Sequence, residues 1–394
     1  MLAKTYLLFF FLTVSASAQK PVPPSLHANP TGELDAYRQQ LALLRQQRPN
    51  HHELPNLNFF LFGMGDRLKL IYRNGRLLNA LTGNIEEQWK VKQEIIVPPA
   101  YLVHLVLTDG QTIQILEDEA GVWLLQSNKR PKLIPGTRSR LNLPLFSTNR
   151  FGSVLRVLHQ EILINVIHGR PVPNFLVYQK PSYRDAALMA MVLRQTNNLS
   201  LIQDWIMAIR DPFDRNNHGT AEADNPGEVL FLVSLVSDRT HPVVQMALDS
   251  VKRFEKEDYI MGKSDYADHP VYQTKWLKYG LKSLNLPDPY HIPRQYDSYS
   301  SLFWWAYTHE HVAGKKFAEN LNQNYPCLVW AEDHFYTEKH GMVGTIDYPL
   351  SWEQQASDAH YPGLTVLDKD LIKKKIAFPH TWHAAEQFLL LMDQ

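Results

Sequence analysis

The sequence predicts a mainly α fold, a series of antiparallel helix hairpins, preceded by a small antiparallel β domain. Two observations carry this expectation. Beyond about residue 150, apolar residues recur every three to four positions, and short polar links such as Thr196-Asn197-Asn198 and Ser237-Asp238-Arg239-Thr240 join neighbouring segments. Between residues 55 and 140 the period falls to two, and Asn74-Gly75 and Asp109-Gly110 stand where hairpins turn.

The elements follow in chain order. Lys4, the apolar run Leu7 to Val14 and the small residues Ala16-Ser17-Ala18 read as a secretory signal peptide over 1–18. The mature chain is then expected to start at Gln19 and to be exported, to a periplasm or beyond the cell. Residues 19–54 form an N-terminal arm, with one polar helix over 33–48. In the β domain, 55–140, strands are expected at Phe59 to Phe62, Leu68 to Tyr72, Tyr101 to Leu107, Thr112 to Leu116 and Gly121 to Leu125. A Pro- and Arg-rich loop, Pro131 to Pro144, leads into the helical domain, 150–394. Helices are expected near 151–168, 184–196, 199–210, 226–237, 241–256, 271–284, 299–307 and 380–392, with shorter ones near 328–336, 352–359 and 367–374.

Composition narrows the function. The formal net charge is zero and no basic stripe is present, which argues against nucleic acid as a partner. No run after the signal segment is long and apolar enough to insert in a membrane. Cys327 is the only cysteine, so no internal disulfide can form. Neither HExxH nor a paired-cysteine pattern occurs, so no metal is expected. Gly-x-Ser-x-Gly, the phosphate loop and the dinucleotide glycine motif are also missing, so no cofactor is expected.

The polar chemistry gathers in the helical region. Tyr183-Arg184-Asp185 opens a buried apolar helix, a place where Arg can donate to, and Asp accept from, the hydroxyls of a ligand. Asp214, in the loop Phe213 to Asn217, and Asp224, at a helix entrance, are further binding candidates, although N-cap preference favours Asp224, with Asn225 as the other option, for capping that helix. Trp330-Ala331-Glu332-Asp333-His334 sets carboxylates and an imidazole among aromatics. Apolar rings raise a carboxyl pKa, as a general acid requires, so Glu332 is the preferred acid. Trp352-Glu353 repeats the pairing, and the last helix carries Trp382, His383 and Glu386. Glu353 and Glu386 are nearly equal as the base, with Glu353 preferred for its loop setting. Trp330, Trp352 and Trp382 offer faces for a sugar ring, and His334 and His383 offer polar contacts.

With those residues in view, the chain resembles the helical-toroid glycosidases, the (α/α)6 group that includes the glucoamylases, and is similar to exported bacterial proteins. Tyr183-Arg184-Asp185 with its alanine- and methionine-rich helix resembles that family's Arg-Asp segment, Asp224-Asn225-Pro226-Gly227 its Asp-x-x-Gly opening, and Trp330 to Asp333 its general-acid segment. Thr381-Trp382-His383-Ala384-Ala385 resembles its C-terminal segment, while no segment matches its base. The resemblance implies an α/α toroid behind a β domain and a glycoside hydrolase acting on an oligosaccharide or polysaccharide. Such an enzyme needs two carboxyl groups, one protonated and one ionised. Two alternatives stand beside it: a polysaccharide lyase using His334 with Tyr336 or His360 with Tyr361, and a non-catalytic glycan-binding envelope protein.

Overall fold

The computed structural model of the chain describes residues 24–26, 30–45, 59–176, 178–293 and 381–392, with Leu44, Arg45, His383 and Leu390 described by backbone alone. The signal segment and the helices expected near 299–307, 328–336, 352–359 and 367–374 lie outside these residues.

Two antiparallel sheets form the first half. Strands β1 (Phe60–Phe62), β2 (Leu70–Arg73), β3 (Arg76–Asn79) and β4 (Ile85–Gln88) pair in sequence order. So do β5 (Val91–Val97), β6 (Leu102–Leu107), β7 (Thr112–Glu117), β8 (Val122–Gln126) and β9 (Lys132–Leu133). At Asn74-Gly75 both residues are left-handed, with φ of 47° and 72°, the geometry a two-residue hairpin demands. The Asp109-Gly110 turn is one residue longer, with Gly110 left-handed and its N–H on Leu107 O.

The sheets share a core in which Phe60, Phe62 and Tyr72 meet Val103, Ile113 and Ile115. The alternate residues are covered as well. Phe59, Leu61 and Ile71 pack on Ile164, Val172 and Phe175, while Leu102, Leu116 and Trp123 pack with Leu34 of α1 (Pro30–Arg45). In β1, β2, β7 and β8 both faces are largely buried, whereas β4 and the start of β5 are exposed.

A charged clasp joins the sheets. Glu117, fully buried at the end of β7, accepts from the backbone N–H of Gly63 (2.9 Å) and Met64 (2.7 Å) and from Arg67 Nη1 (2.9 Å). Arg67 also donates to Ser139 and to Asp118 O, and Lys69 Nζ donates to the carbonyls of Gly63 and Gly65. Gly63 has φ of 98°, and a Cβ there would lie 2.2 Å from Leu68 O, so only glycine fits. Gly65 N–H then bonds Leu163 O (2.8 Å), tying the clasp to α2 (Gly152–Ile164).

The helical half continues with α3 (Tyr183–Gln195), α4 (Gln203–Met207), α5 (Asn225–Ser234), α6 (Pro242–Val251), α7 (Pro270–Ser283) and α8 (Thr381–Met392). Pro226, Pro242 and Pro270 stand in the first turns of α5, α6 and α7, where a missing N–H costs nothing. α8 packs on α2 and α3, so the end of the chain returns to the middle of the fold.

The closest helix contact is between α5 and α7. A Cβ on Gly227 would lie 2.4 Å from Leu277 N and Trp276 C, and one on Gly280 would lie 2.4 Å from Gly227 O. These are backbone atoms that no rotamer change can move. Gly227→Ala is therefore expected to push α5 off α7 and cost about 2–3 kcal/mol, read as a lowered melting temperature. Because α5 starts beside Asp224 and carries Glu228, the displacement would also disturb the site described below.

His159 on α2 is fully buried against Phe146 and Phe388, and its Nε2 lies 3.0 Å from Thr196 Oγ1. Burial lowers its pKa to about 3. The unfolded chain therefore takes up a proton below about pH 6.5 that the folded chain refuses until pH 3, so stability falls as pH falls through that window. Melting of the wild type is expected to drop faster between pH 7 and 4 than that of His159→Phe, whose slope lacks this contribution.

The structure corrects the fold class. The described residues are about 38% helix and 21% strand, with five antiparallel sheets, so the chain is mixed α and β rather than a mainly α toroid with a β preface. Three of the sheets are two-stranded hairpins set among the helices: β10 (Val166–Ile167) with β11 (Arg170–Pro171), β12 (Glu255–Lys256) with β13 (Tyr259–Ile260), and β14 (Lys263–Ser264) with β15 (Ala267–Asp268). The helix expected at 241–256 ends at Val251, and Glu255–Lys256 forms a strand instead. Tertiary pairing with Tyr259–Ile260 outweighs local helical preference there.

Candidate functional site

Arg184, in the first turn of α3, is the centre of a buried ionic cluster. Its Nε and Nη2 donate to Asp224 Oδ2 at 2.9 and 2.7 Å. Nη1 donates to Asp265 Oδ2 at 2.7 Å, and Nη2 lies 3.5 Å from Glu222 Oε2. The Trp382 ring of α8 packs against the guanidinium, 5.5 Å from its carbon. Local sequence explains each position. Pro181 precedes the helix start, α5 opens just after Asp224, and the β14–β15 turn presents Asp265.

Further groups hold the acids in place. Asp224 Oδ1 accepts from Ser264 Oγ (2.7 Å), so its carboxylate is taken up by Arg184 and Ser264; its side chain makes no cap bond to α5. The capping role expected as one option for Asp224 is thus corrected: a charged guanidinium draws the carboxylate more strongly than the neutral amides of the helix start do. Glu222 Oε1 accepts from the Asp265 N–H (2.6 Å) and from Asn217 Nδ2 (3.3 Å). Glu228, fully buried one turn into α5, accepts from Asn225 Nδ2 (3.1 Å) and Tyr272 Oη (3.3 Å). Asp214 accepts from the Tyr183 N–H (2.6 Å) and receives a small push from Asp224.

The electrostatics follow from that crowding. Burial pushes Glu222 upward, Asp224 adds to the push, and Arg184 opposes it. Burial raises Glu228 well above the usual carboxylate range, again reinforced by Asp224. Burial also raises Asp214. The result is a buried Asp224–Arg184 salt bridge beside carboxyl groups biased toward their protonated forms. Of the acids on Arg184, Asp265 is the accessible one, its side chain 48% exposed, whereas those of Glu222 and Asp224 are 5% and 0% exposed.

The residues expected from sequence divide three ways. Arg184, Asp224 and Trp382 come together at the cluster, with Asp214 at its edge. Asp185 lies on the same helical turn as Arg184, but its Oδ1 accepts from Thr381 Oγ1 (2.9 Å), a bond that docks the start of α8 on α3. Glu386 is buried further along α8, and His383 is placed there by backbone alone. Glu332, Glu353, Trp330, His334 and Trp352 lie outside the described residues, as do Tyr336, His360 and Tyr361.

Asp265, Ser264, Glu222, Glu228 and Tyr272 were not singled out as site residues in the sequence. A polar run, Lys263-Ser264-Asp265-Tyr266, between two apolar segments is the signal that could have found the first two. Among the described residues no group of three or more His, Cys, Asp or Glu side chains is arranged to hold a metal ion, and no helix is long and apolar enough to cross a membrane. No family model, curated protein or solved structure matches the chain.

Proposed function

We propose that the chain is an exported carbohydrate-active hydrolase that cleaves glycosidic bonds of an oligosaccharide or polysaccharide, with its acid chemistry at the Arg184 cluster. The observation that carries this is Glu222: a buried carboxyl, biased toward its protonated form, shares one guanidinium with Asp224 and the half-exposed Asp265. Glycoside hydrolysis needs a carboxylic acid to protonate the leaving oxygen and a carboxylate to assist water or the developing cation. Glu222 supplies the first and Asp265 the second. Asp224 with Arg184 holds both in register, and Trp382 backs the guanidinium. The signal segment supports export, and Glu332, Glu353 and Glu386 remain the alternative acids and bases.

The test is a chromatographic screen of the purified protein against neutral and uronate-containing oligosaccharides. New reducing ends are the expected result. An unsaturated product would instead assign a lyase, and binding without turnover a glycan-binding protein.

A further inference from the structure

We propose that Tyr266 and His218 form an aromatic subsite that holds one sugar ring by its C–H face at the mouth of the Arg184 cluster. The proposal rests on the carbohydrate reading above and adds to it the residues that position the ligand.

Asp265 and Tyr266 are the two central residues of the β14–β15 hairpin turn, and both are left-handed, with φ of 46° and 72°. Such a turn suits Asn-Gly or Asp-Gly. A bulky aromatic in the left-handed region is a genuine outlier, and strain of that kind is retained where surrounding structure enforces it. The enforcement is visible. Asp265 N–H is bound by Glu222 Oε1 at 2.6 Å, and its carboxylate by Arg184 at 2.7 Å.

The facing loop is fastened to the same acid, through Asn217 Nδ2 on Glu222 Oε1 at 3.3 Å. That loop is strained too, with Arg215 and His218 at φ of 53° and 49°. Out of this double constraint come two exposed rings, Tyr266 and His218, with centroids 6.2 Å apart and planes inclined at 45°. Tyr266 is 68% exposed, so the strain does not serve the core. An exposed ring on a fastened turn beside the accessible Asp265 carboxyl matches a pyranose, which presents apolar C–H groups on its faces and hydroxyl donors at its edge.

The experiment measures melting temperature and saccharide affinity on the same variants of the full chain, with maltotetraose, cellotetraose and xylotetraose as probes. Tyr266→Gly creates the Asp-Gly pair this turn prefers, so its melting temperature is expected to rise. Its affinity for the probe that binds the wild type is expected to fall about tenfold. Tyr266→Phe should keep affinity within about threefold, because the ring face does the binding. A purely structural tyrosine would give the reverse pattern, with lost stability and unchanged affinity, and that result overturns the subsite. If the wild type binds none of the probes, both the subsite and the carbohydrate reading fall. If the wild type binds and Tyr266→Gly binds as tightly, the subsite alone falls.

Discussion

Glu117→Ala is expected to destabilise the chain by about 3–5 kcal/mol, the usual cost of removing one partner from a buried ion pair. The side chains of Glu117 and Arg67 are both fully buried, so the guanidinium left behind cannot be hydrated where it stands. Two backbone amides, those of Gly63 and Met64, would lose their acceptor at the same time. Removing both ionic partners together, as Glu117→Met with Arg67→Met, is expected to cost less than the single change, because the guanidinium is then not stranded, while Lys69 keeps the carbonyls of Gly63 and Gly65. Denaturant titration of the single and double variants checks this, and equal losses would show that the amide bonds rather than the ion pair dominate.

Glu222→Gln is expected to lower turnover about 10²–10⁴-fold, the usual worth of a general acid, with little change in substrate affinity. Glutamine keeps the size of the side chain and can still accept from the Asp265 N–H, so the turn carrying Asp265 should stay in place. What it lacks is the transferable proton. The pH profile adds a sign. With its pKa raised by burial, Glu222 keeps its proton above the ordinary glutamate range, so the acid-dependent limb of the wild-type rate should fall at higher pH than a solvent-exposed glutamate would give. Parallel assay of Glu332→Gln separates the two candidate acids, because only the true donor abolishes that limb.

Much of the local structure was legible. Asn74-Gly75 announces its hairpin because left-handed residues are few in kind, and α3 begins at Tyr183 where an apolar 3.6-residue period follows Pro181. The β14–β15 hairpin was not legible, because its turn residues are Asp265 and Tyr266, and a tyrosine carries no turn signal. The mainly α expectation failed because strands were undercounted: β4, β5 and β9 were not expected in the two sheets, and the three hairpins have strands only two residues long, too short to show a period of two.

The site shows the same division. Arg184 and Asp224 drew notice as polar residues at helix entrances, which is a local signal. Their bond to each other, and those to Glu222 and Asp265, span 40, 38 and 81 positions, and no local pattern reports a contact that distant. Asp185 stood beside Arg184 in sequence yet holds Thr381, 196 positions away. Which neighbour faces the cluster and which faces α8 is decided by packing rather than by chain order.

The most direct measurement is the position of a bound oligosaccharide in crystals of the full-length Glu222→Gln variant, soaked with whichever probe the wild type cleaves. The expected density places a sugar hydroxyl on Asp265, a glycosidic oxygen at the residue 222 amide, and a ring face against Tyr266. A sugar bound away from Arg184 and its acids, with those side chains unchanged, would contradict the assignment of this cluster as the site.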